Sequence, residues 1–290
     1  MRKIFLIIMV CFGLLLIAGC GNSSDDNVSD GTVSEGKIGD DVPVKRSQVA
    51  KMLALTVYDI NAIENMERTI VFEDTSVNQP YDKYINAAFN AGLISGADET
   101  HFEPDTYLSL EQAQFLLNKL DKTGTLKLQY NHEDRKKPIS ASMWTEVFER
   151  AIQLSGNTAV VSCNIVPFAT GKNCSALGDR FVMTDRGLLS YECCEDFEYN
   201  DCTLTVLLRD KEILAFKSVV DKTPSIMGAV VVSVDEEGAV MDMGGVERYF
   251  YLDNPSQLKT GESISFKYNG NSITELERQT VENVSYEQTT

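Results

Sequence analysis

Two stretches of ten residues repeat one pattern: residues 204–213 read LTVLLRDKEI, and residues 264–273 read ISFKYNGNSI. They align without gaps, and in each a strand meets a tight turn and a second strand. Asn269-Gly270 is a strong hairpin signal, because both residue types tolerate the positive φ angles of the favoured turns. Each stretch belongs to a set of about five short strands in about sixty residues, the size of a small, strongly bent barrel. We therefore expect two β modules, at residues 157–222 and 223–282.

The rest of the C-terminal half has the same period of two. From Asn157 onward, short runs rich in β-branched and aromatic residues alternate with turn residues, which is typical of strands. The predicted strands are residues 158–166, 180–184, 188–191, 203–209 and 213–220 in the first module, and residues 229–234, 239–243, 247–252, 263–268 and 273–279 in the second.

Apolar residues in the N-terminal half follow the spacing of helices, and a short run at residues 70–72 resembles a strand. Ser109 is the expected N-cap of one helix, and Ser140 or Ser142 of another. The predicted fold class is therefore α+β, with a helical module before two small all-β, barrel-like modules. The predicted helices cover residues 44–66, 81–91 and 110–120 of a module at residues 44–122, and residues 140–154 of a connector at residues 123–156.

The N-terminal segment is built like an export signal. Two basic residues precede a nearly unbroken apolar run, and small residues follow it, which is the order of a secretory signal peptide. Its end, Leu16-Ile17-Ala18-Gly19-Cys20, resembles the lipobox of bacterial lipoproteins. The resemblance implies a signal peptide at residues 1–19, cleavage between Gly19 and Cys20, and a diacylglycerol or palmitate group on Cys20. An uncleaved membrane helix is the alternative.

Two segments lack the apolar residues that a folded unit needs. Residues 20–43 are rich in Gly, Ser, Asp and Asn, and we expect a flexible linker that tethers the lipidated Cys20 to the helical module. Residues 283–290 are expected to form a polar tail.

Four motifs follow one another in the helical module. They are Phe72-Glu73-Asp74, Tyr84-Ile85-Asn86-Ala87-Ala88, Ala91-Gly92-Leu93-Ile94-Ser95-Gly96 and Phe102-Glu103-Pro104-Asp105. Their order and spacing resemble the S-layer homology repeat. The resemblance implies a module that associates with secondary cell-wall polysaccharide, because known members bind this polymer through helix starts of the Thr-Arg-Ala-Glu type.

The helix starts depart from this family pattern. The half-repeat begins with Lys45-Arg46-Ser47-Gln48, which keeps the arginine and loses the acid. The complete repeat has Leu110 where the arginine is expected. Because an anionic sugar favours a bidentate arginine, Arg46 with its neighbours Lys45 and Gln48 is the candidate polymer-binding set. A solvated residue at a helix start is the alternative role for Arg46.

The order of modules resembles the non-catalytic front half of clostridial envelope proteins. Those proteins place S-layer homology repeats before small β domains, and some carry a domain of the sporulation stage II protein D type. The resemblance implies a location on the extracytoplasmic face of a Gram-positive cell membrane. It does not imply the associated peptidoglycan activity.

The chain of 290 residues has a formal net charge of −17. A charge of this sign argues against nucleic-acid binding through a general basic surface. The expected partners are membrane lipid through Cys20, secondary cell-wall polysaccharide, and an unknown envelope protein bound by the β modules. No cofactor is expected apart from the lipid.

Five cysteines fall within about forty residues of the first β module. Disulfides are permitted in an exported protein, but an odd number leaves at least one thiol, and fully reduced thiols are the alternative. Zinc binding is disfavoured because no C-x-x-C pair is present. The five are Cys163, Cys174, Cys193, Cys194 and Cys202.

The sequence favours a non-enzymatic envelope lipoprotein. It contains no G-x-S-x-G serine, no P-loop and no H-E-x-x-H motif. The first alternative is an envelope enzyme with a reactive cysteine among Cys193, Cys194 and Cys202. The second alternative is a solute-binding lipoprotein, although the two large α/β lobes of such proteins are not predicted here.

Overall fold

The computed structural model describes residues 36–171, 174–194 and 199–277. All of them belong to one compact unit. The expectations for the signal peptide, its cleavage site, the lipidated Cys20 and the polar tail at residues 283–290 fall outside the described residues.

The α-helices lie close to the positions that the sequence predicts, but the first predicted helix is divided in two. Asp59 starts the second part, where its carboxylate accepts a hydrogen bond of 2.8 Å from the backbone N–H of Ala62. Residues 70–72 do not form the predicted strand. Ser109 and Ser140 each accept a hydrogen bond from the third residue of the next helix, which confirms both N-caps. The helices are α1 (Arg46–Val57), α2 (Ile60–Glu64), α3 (Asp82–Asn90), α4 (Leu110–Leu120) and α5 (Ala141–Leu154).

The first sheet has the strand order β2-β6-β7-β5-β4-β3, and β1 pairs with β7. Its pairs are antiparallel except for β5 and β7, which meet at Ser190 and Glu212. The predicted strands of the first module are present, whereas β1 and β3 were not predicted. The strands are β1 (Gly36–Lys37), β2 (Val161–Ile165), β3 (Pro167–Thr170), β4 (Phe181–Thr184), β5 (Gly187–Ser190), β6 (Thr203–Arg209) and β7 (Glu212–Asp221).

The second sheet contains the five predicted strands of the second module. Its order is β10-β12-β11-β8-β9, and the sheet closes because β9 also pairs with β10. The one parallel pair, between β10 and β12, joins Tyr251 to Ser272. The strands are β8 (Ser225–Val234), β9 (Gly238–Asp242), β10 (Glu247–Tyr251), β11 (Ser263–Asn269) and β12 (Ser272–Glu277).

The two sheets share one connectivity if β2 and β3 are counted as one interrupted strand and β1 is left aside. Only the second sheet is closed, so they are not the pair of barrels that the sequence predicts. The last two strands of each sheet form a hairpin with a two-residue loop, closed by Arg209 and Glu212 in one and by Asn269 and Ser272 in the other. In the first sheet Val166 interrupts the strand between β2 and β3. As a result, β2 pairs only with β6 and β3 pairs only with β4. This break leaves the first sheet open.

The predicted linker ends earlier than expected. Gly36 and Lys37 pair with Val219 and Ser218 in the C-terminal part of β7. The backbone N–H of Ile38 donates to the carbonyl of Lys217 at 2.8 Å. Ile38 is buried among residues of the first sheet. Strand pairing, backbone hydrogen bonds and one buried apolar side chain therefore hold the last residues of this polar segment on the body.

The helices and the first sheet share one hydrophobic core. Trp144 of α5 is fully buried in it, and its Nε1 donates to the sulfur of Met52 in α1 at 3.2 Å. Leu207 of β6 and Leu214 of β7 belong to the same core. The hairpin of the first sheet therefore forms one wall of the helical module.

The second sheet packs against the unpredicted strand β3. Phe168 and Ala169 of this strand are buried in the core of the second sheet. Beside them, Asp201 accepts hydrogen bonds from Arg248 at 2.6 Å and from the hydroxyl of Tyr268 at 2.9 Å. A core contact and a charged contact thus hold the two sheets together.

A buried ion pair joins α1 to the first sheet. Lys51 is 0% exposed, and its Nζ lies 3.0 Å from the carboxylate of Glu212, the first residue of β7. The same Nζ donates to the carbonyl of Glu192 at 2.6 Å. The hydroxyls of Tyr84 in α3 and Ser190 in β5 donate to Glu212 at 3.2 and 3.0 Å. These hydrogen bonds replace the water that both charges lose on burial.

The Lys51→Met variant should be strongly destabilised, because it leaves the carboxylate of Glu212 buried without a countercharge. We expect the free energy of unfolding to fall by about 3–5 kcal/mol in urea denaturation followed by circular dichroism. Lys37→Met is the matched control, since its ion pair with Glu146 has nearly the same length, 2.9 Å, but is exposed.

The control should lose less than about 1 kcal/mol. Equal losses in the two variants would show that the Lys51 pair does not hold the helices on the sheet.

Candidate functional site

Arg46 is the first residue of α1 and is only 5% exposed. Its Nε donates to the carbonyl of Phe102 at 2.9 Å, and its Nη2 donates to the carbonyl of Ser95 at 3.0 Å. The guanidinium carbon lies 4.7 Å from the centre of the Phe102 ring. Burial lowers the pKa of Arg46, but a guanidinium keeps its proton in proteins. Arg46 is therefore a fixed cation that also holds two loops in place.

A groove of about 510 Å³ runs beside Arg46. This volume is within the range of small-molecule sites. One wall is the loop that contains Ser95, and the other is the beginning of α4. The groove is lined by Arg46, Ile94, Ser95, Gly96, Ala97, Leu108, Ser109, Glu111, Gln112, Phe115, Leu116 and Lys136.

Phe115 and Lys136 give this groove an aromatic and a second cationic side chain. Phe115 of α4 is 56% exposed, and the Nζ of Lys119 lies 4.8 Å from its ring centre. The sequence analysis did not select either residue. Phe115 could have been found, because it lies outside the apolar stripe by which α4 packs on the core.

The structure does not bring Lys45 and Gln48 into this groove. The backbone N–H of Lys45 donates to the side-chain oxygen of Gln48 at 2.8 Å, and Lys45 Nζ forms an exposed ion pair of 3.0 Å with Asp105. Both residues line a separate cleft of about 370 Å³. The candidate set is thus divided between two sites, because successive residues of a helix start point in different directions.

The cleft that contains Lys45 lies between the helical module and the first sheet. Tyr81 and Tyr107 line it from the helical side, and Tyr107 is 51% exposed. Arg180, which directly precedes β4, lines it from the sheet side together with Cys193 and Cys194. The backbone N–H of Tyr191 donates to the carbonyl of Arg180 at 2.9 Å, which fixes the start of β4 beside the end of β5.

No disulfide joins any of the five cysteines, all of which are described. Burial raises the pKa of Cys193 to about 12 and that of Cys202 to about 11. Burial also raises the pKa of Cys163. A reactive cysteine requires the opposite shift, toward the thiolate. These three thiols therefore lack the environment of a nucleophile.

Within the described ranges, no three His, Cys, Asp or Glu side chains are arranged so that they could hold a metal ion. In the same ranges, every helix is too short or too polar to cross a membrane.

Alkylation of Cys193 should be slow and should depend steeply on pH. At pH 8 the thiolate fraction at a pKa of about 12 is about a thousand times smaller than at the ordinary value of 9. Iodoacetamide labelling, followed by peptide mass spectrometry in native buffer and in urea, measures this difference. A native rate at pH 8 equal to the rate in urea would contradict the raised pKa and restore the reactive-cysteine alternative.

Two comparisons give no relative of this chain. No protein-family model matches it, and no curated protein is similar to it in sequence. The resemblance to the S-layer homology repeat therefore rests on the quoted motifs alone.

Proposed function

We propose that this protein is a cell-envelope lipoprotein that associates with cell-wall polysaccharide through the groove beside Arg46. The observation that carries the proposal is the fixed guanidinium of Arg46 at one side of an open groove, with the exposed ring of Phe115 in the same groove. Exposed aromatic rings suit the apolar faces of sugar rings, and arginine suits anionic groups on a polymer.

The charge of the groove supports an acidic polymer as the ligand. The whole chain carries a net charge of −17, yet among the described residues that line the groove the charged ones are Arg46, Lys136 and Glu111. A cationic site on an acidic protein concentrates the field where the polymer is bound. The rest of the surface would repel the same polymer, so contact is directed to this site.

Lipid attachment at Cys20 would supply the second point of retention. A single acyl chain gives only marginal membrane binding, whereas two signals together give stable anchoring. A diacylglyceryl group and contact with the wall would be two such signals. In this proposal the β modules present a surface to another envelope protein, which is unidentified.

The raised pKa values of Cys193 and Cys202 argue against two of the three cysteines that the alternative enzyme could use, and the third is Cys194. No observation on the described residues favours a solute-binding protein.

Phe115→Ala should weaken binding to the cell wall, because it removes an exposed ring without opening the core. We expect the apparent affinity for isolated cell-wall sacculi to fall by about tenfold. The measurement is co-sedimentation of the full-length protein in detergent with sacculi before and after removal of the secondary polysaccharide. Tyr251→Ala is the control, since this tyrosine of β10 is 49% exposed and lies in the other module.

The control variant should bind like the wild-type protein. Wild-type protein that binds stripped sacculi as well as it binds intact ones would refute the polysaccharide as the ligand. Equal binding by Phe115→Ala and the wild type would remove the groove from the proposal.

Cys20→Ala should separate lipid attachment from wall binding. Without the cysteine, the protein should be released to the medium or remain as an unprocessed precursor, because no thiol is present for acylation. Fractionation of cells and detection of the chain in membranes, wall and medium test this. Processed protein that stays in the membrane at the wild-type level would contradict the lipoprotein assignment.

A further inference from the structure

The second sheet carries apolar side chains on the outer side of three adjacent strands, β8, β9 and β10. Alternate residues of these strands are buried in the core of the sheet, so the residues between them point outward. Because β9 pairs with β8 on one side and with β10 on the other, the outward residues of the three strands are neighbours. They form the outer apolar face, which we define by Val230, Val232, Val240, Tyr249 and Tyr251.

This face is exposed and partly preformed. β8 exposes three large apolar side chains, whereas no other described strand exposes more than one. Two of the three, Val230 and Val232, belong to this face and are 41% and 37% exposed. The rings of Tyr249 and Tyr251 lie 5.1 Å apart between their centres, and the hydroxyl of Tyr249 donates to Asp235 at 2.9 Å. A contiguous exposed apolar surface of this kind is typical of an interaction site.

The corresponding strand of the first module is already a contact surface. β3 pairs with β4 in the same way as the C-terminal half of β8 pairs with β9. All four residues of β3 are buried, and Phe168 and Ala169 pack in the core of the second sheet. In the second module the same position is exposed at Val230 and Val232. The strand by which the first module contacts its neighbour is therefore uncovered in the second module.

Two acids at the border of the outer apolar face lie directly opposite each other. They are Asp242 of β9 and Glu247 of β10, and like charges in this position destabilise a sheet. Arg248 is next to Glu247 in the chain, but it bonds to Asp201 at 2.6 Å. Within the described ranges neither acid forms an ion pair. A cationic partner would relieve their repulsion, whereas a second copy of this chain, with its charge of −17, would increase it.

A helix is the kind of element that covers a sheet face elsewhere in this protein. Leu207 of β6 and Leu214 of β7 pack in one core with residues of α1 and α5. An amphipathic helix presents its apolar residues as one stripe with polar residues beside it. A helix with lysine or arginine beside the stripe would place its apolar residues on the outer apolar face and its cations near Asp242 and Glu247.

We propose that the outer apolar face binds a cationic amphipathic helix of another envelope protein. Val230, Val232 and Tyr251 contact the apolar stripe of this helix, and Asp242 and Glu247 bind its lysine or arginine side chains. This inference rests on the part of the proposed function in which the β modules bind another envelope protein. It adds the surface that is used and the chemistry of the partner.

The test uses the full-length protein in detergent and a fluorescent peptide of about 14 residues, in which leucine and lysine follow the spacing of an amphipathic helix. A peptide of the same composition in scrambled order has the same charge but no apolar stripe. Fluorescence anisotropy measures both affinities. We expect the patterned peptide to bind at least about tenfold more tightly than the scrambled one. Equal affinities would mean that the acidic chain attracts charge alone, and would overturn the proposal.

Tyr251→Ala and Glu247→Gln should weaken binding of the patterned peptide by about fivefold and about threefold. Tyr107→Ala and Glu99→Gln are the matched controls, because they remove an exposed tyrosine and an exposed acid from the helical module. Both controls should bind like the wild-type protein. Wild-type affinity in both Tyr251→Ala and Glu247→Gln would show that the peptide binds elsewhere, and the inference would be wrong.

Glu247→Gln also separates binding from folding. Because this change removes the repulsion from Asp242, it should raise the thermal midpoint of the free protein by about 1–3 °C while it weakens binding. A lower midpoint would mean that the charge of Glu247 stabilises the fold, and it would overturn the cationic partner.

Two further outcomes would assign the face to a different partner and overturn the inference. A dimer in sedimentation velocity that Tyr251→Ala dissociates would assign it to a second copy of this chain. Loss of sacculus binding in Tyr251→Ala would assign it to the polysaccharide. Failure of the wild-type protein to bind sacculi refutes the polysaccharide as the ligand of the groove, whereas the peptide measurements decide the outer apolar face separately.

Discussion

The buried pair of Lys51 and Glu212 is the interaction on which the arrangement of modules depends. Two charges removed from water are stable only when they pair with each other and their remaining hydrogen-bonding positions are filled. Here the hydroxyls of Tyr84 and Ser190 fill the remaining positions of Glu212. Burial and the two nearby glutamates, with Glu212 foremost, raise the pKa of Tyr84, so it stays a donor. The members of this network lie in α1, α3, β5 and β7. The network therefore fixes the position of the helices on the sheet.

The two hairpins show that one backbone serves both a covered and an exposed surface. In the ungapped alignment Glu212 corresponds to Ser272, and Leu214 corresponds to Thr274. Both residues of the second copy are exposed, while both residues of the first are buried against the helices. The hairpin backbone is the same in both copies. The side chains on this face of the hairpin differ because the helices cover it only in the first sheet.

Local rules predicted the helices, their serine caps and the hairpins, because these depend on residues close in sequence. They missed β3, since all four of its residues are buried and the strand shows no alternation. They also shifted the second hairpin turn by one residue: the loop is Gly270-Asn271, with φ of 56° at Gly270. The cleft beside Lys45 also includes Arg180, which is 134 positions from Arg46 and beyond the reach of any local pattern.

Under the proposed function, the fixed position of Arg46 would offset the small number of cations in the groove. A flexible lysine such as Lys45 loses rotamer freedom when it binds, whereas the guanidinium of Arg46 is already held by the carbonyls of Ser95 and Phe102. Both carbonyls belong to the quoted motifs, so the same contacts that order the loop also prepare the site. The conformational entropy of the Arg46 side chain is therefore already lost when the protein folds. A polymer that bound as proposed would then meet a cation whose position does not need to change.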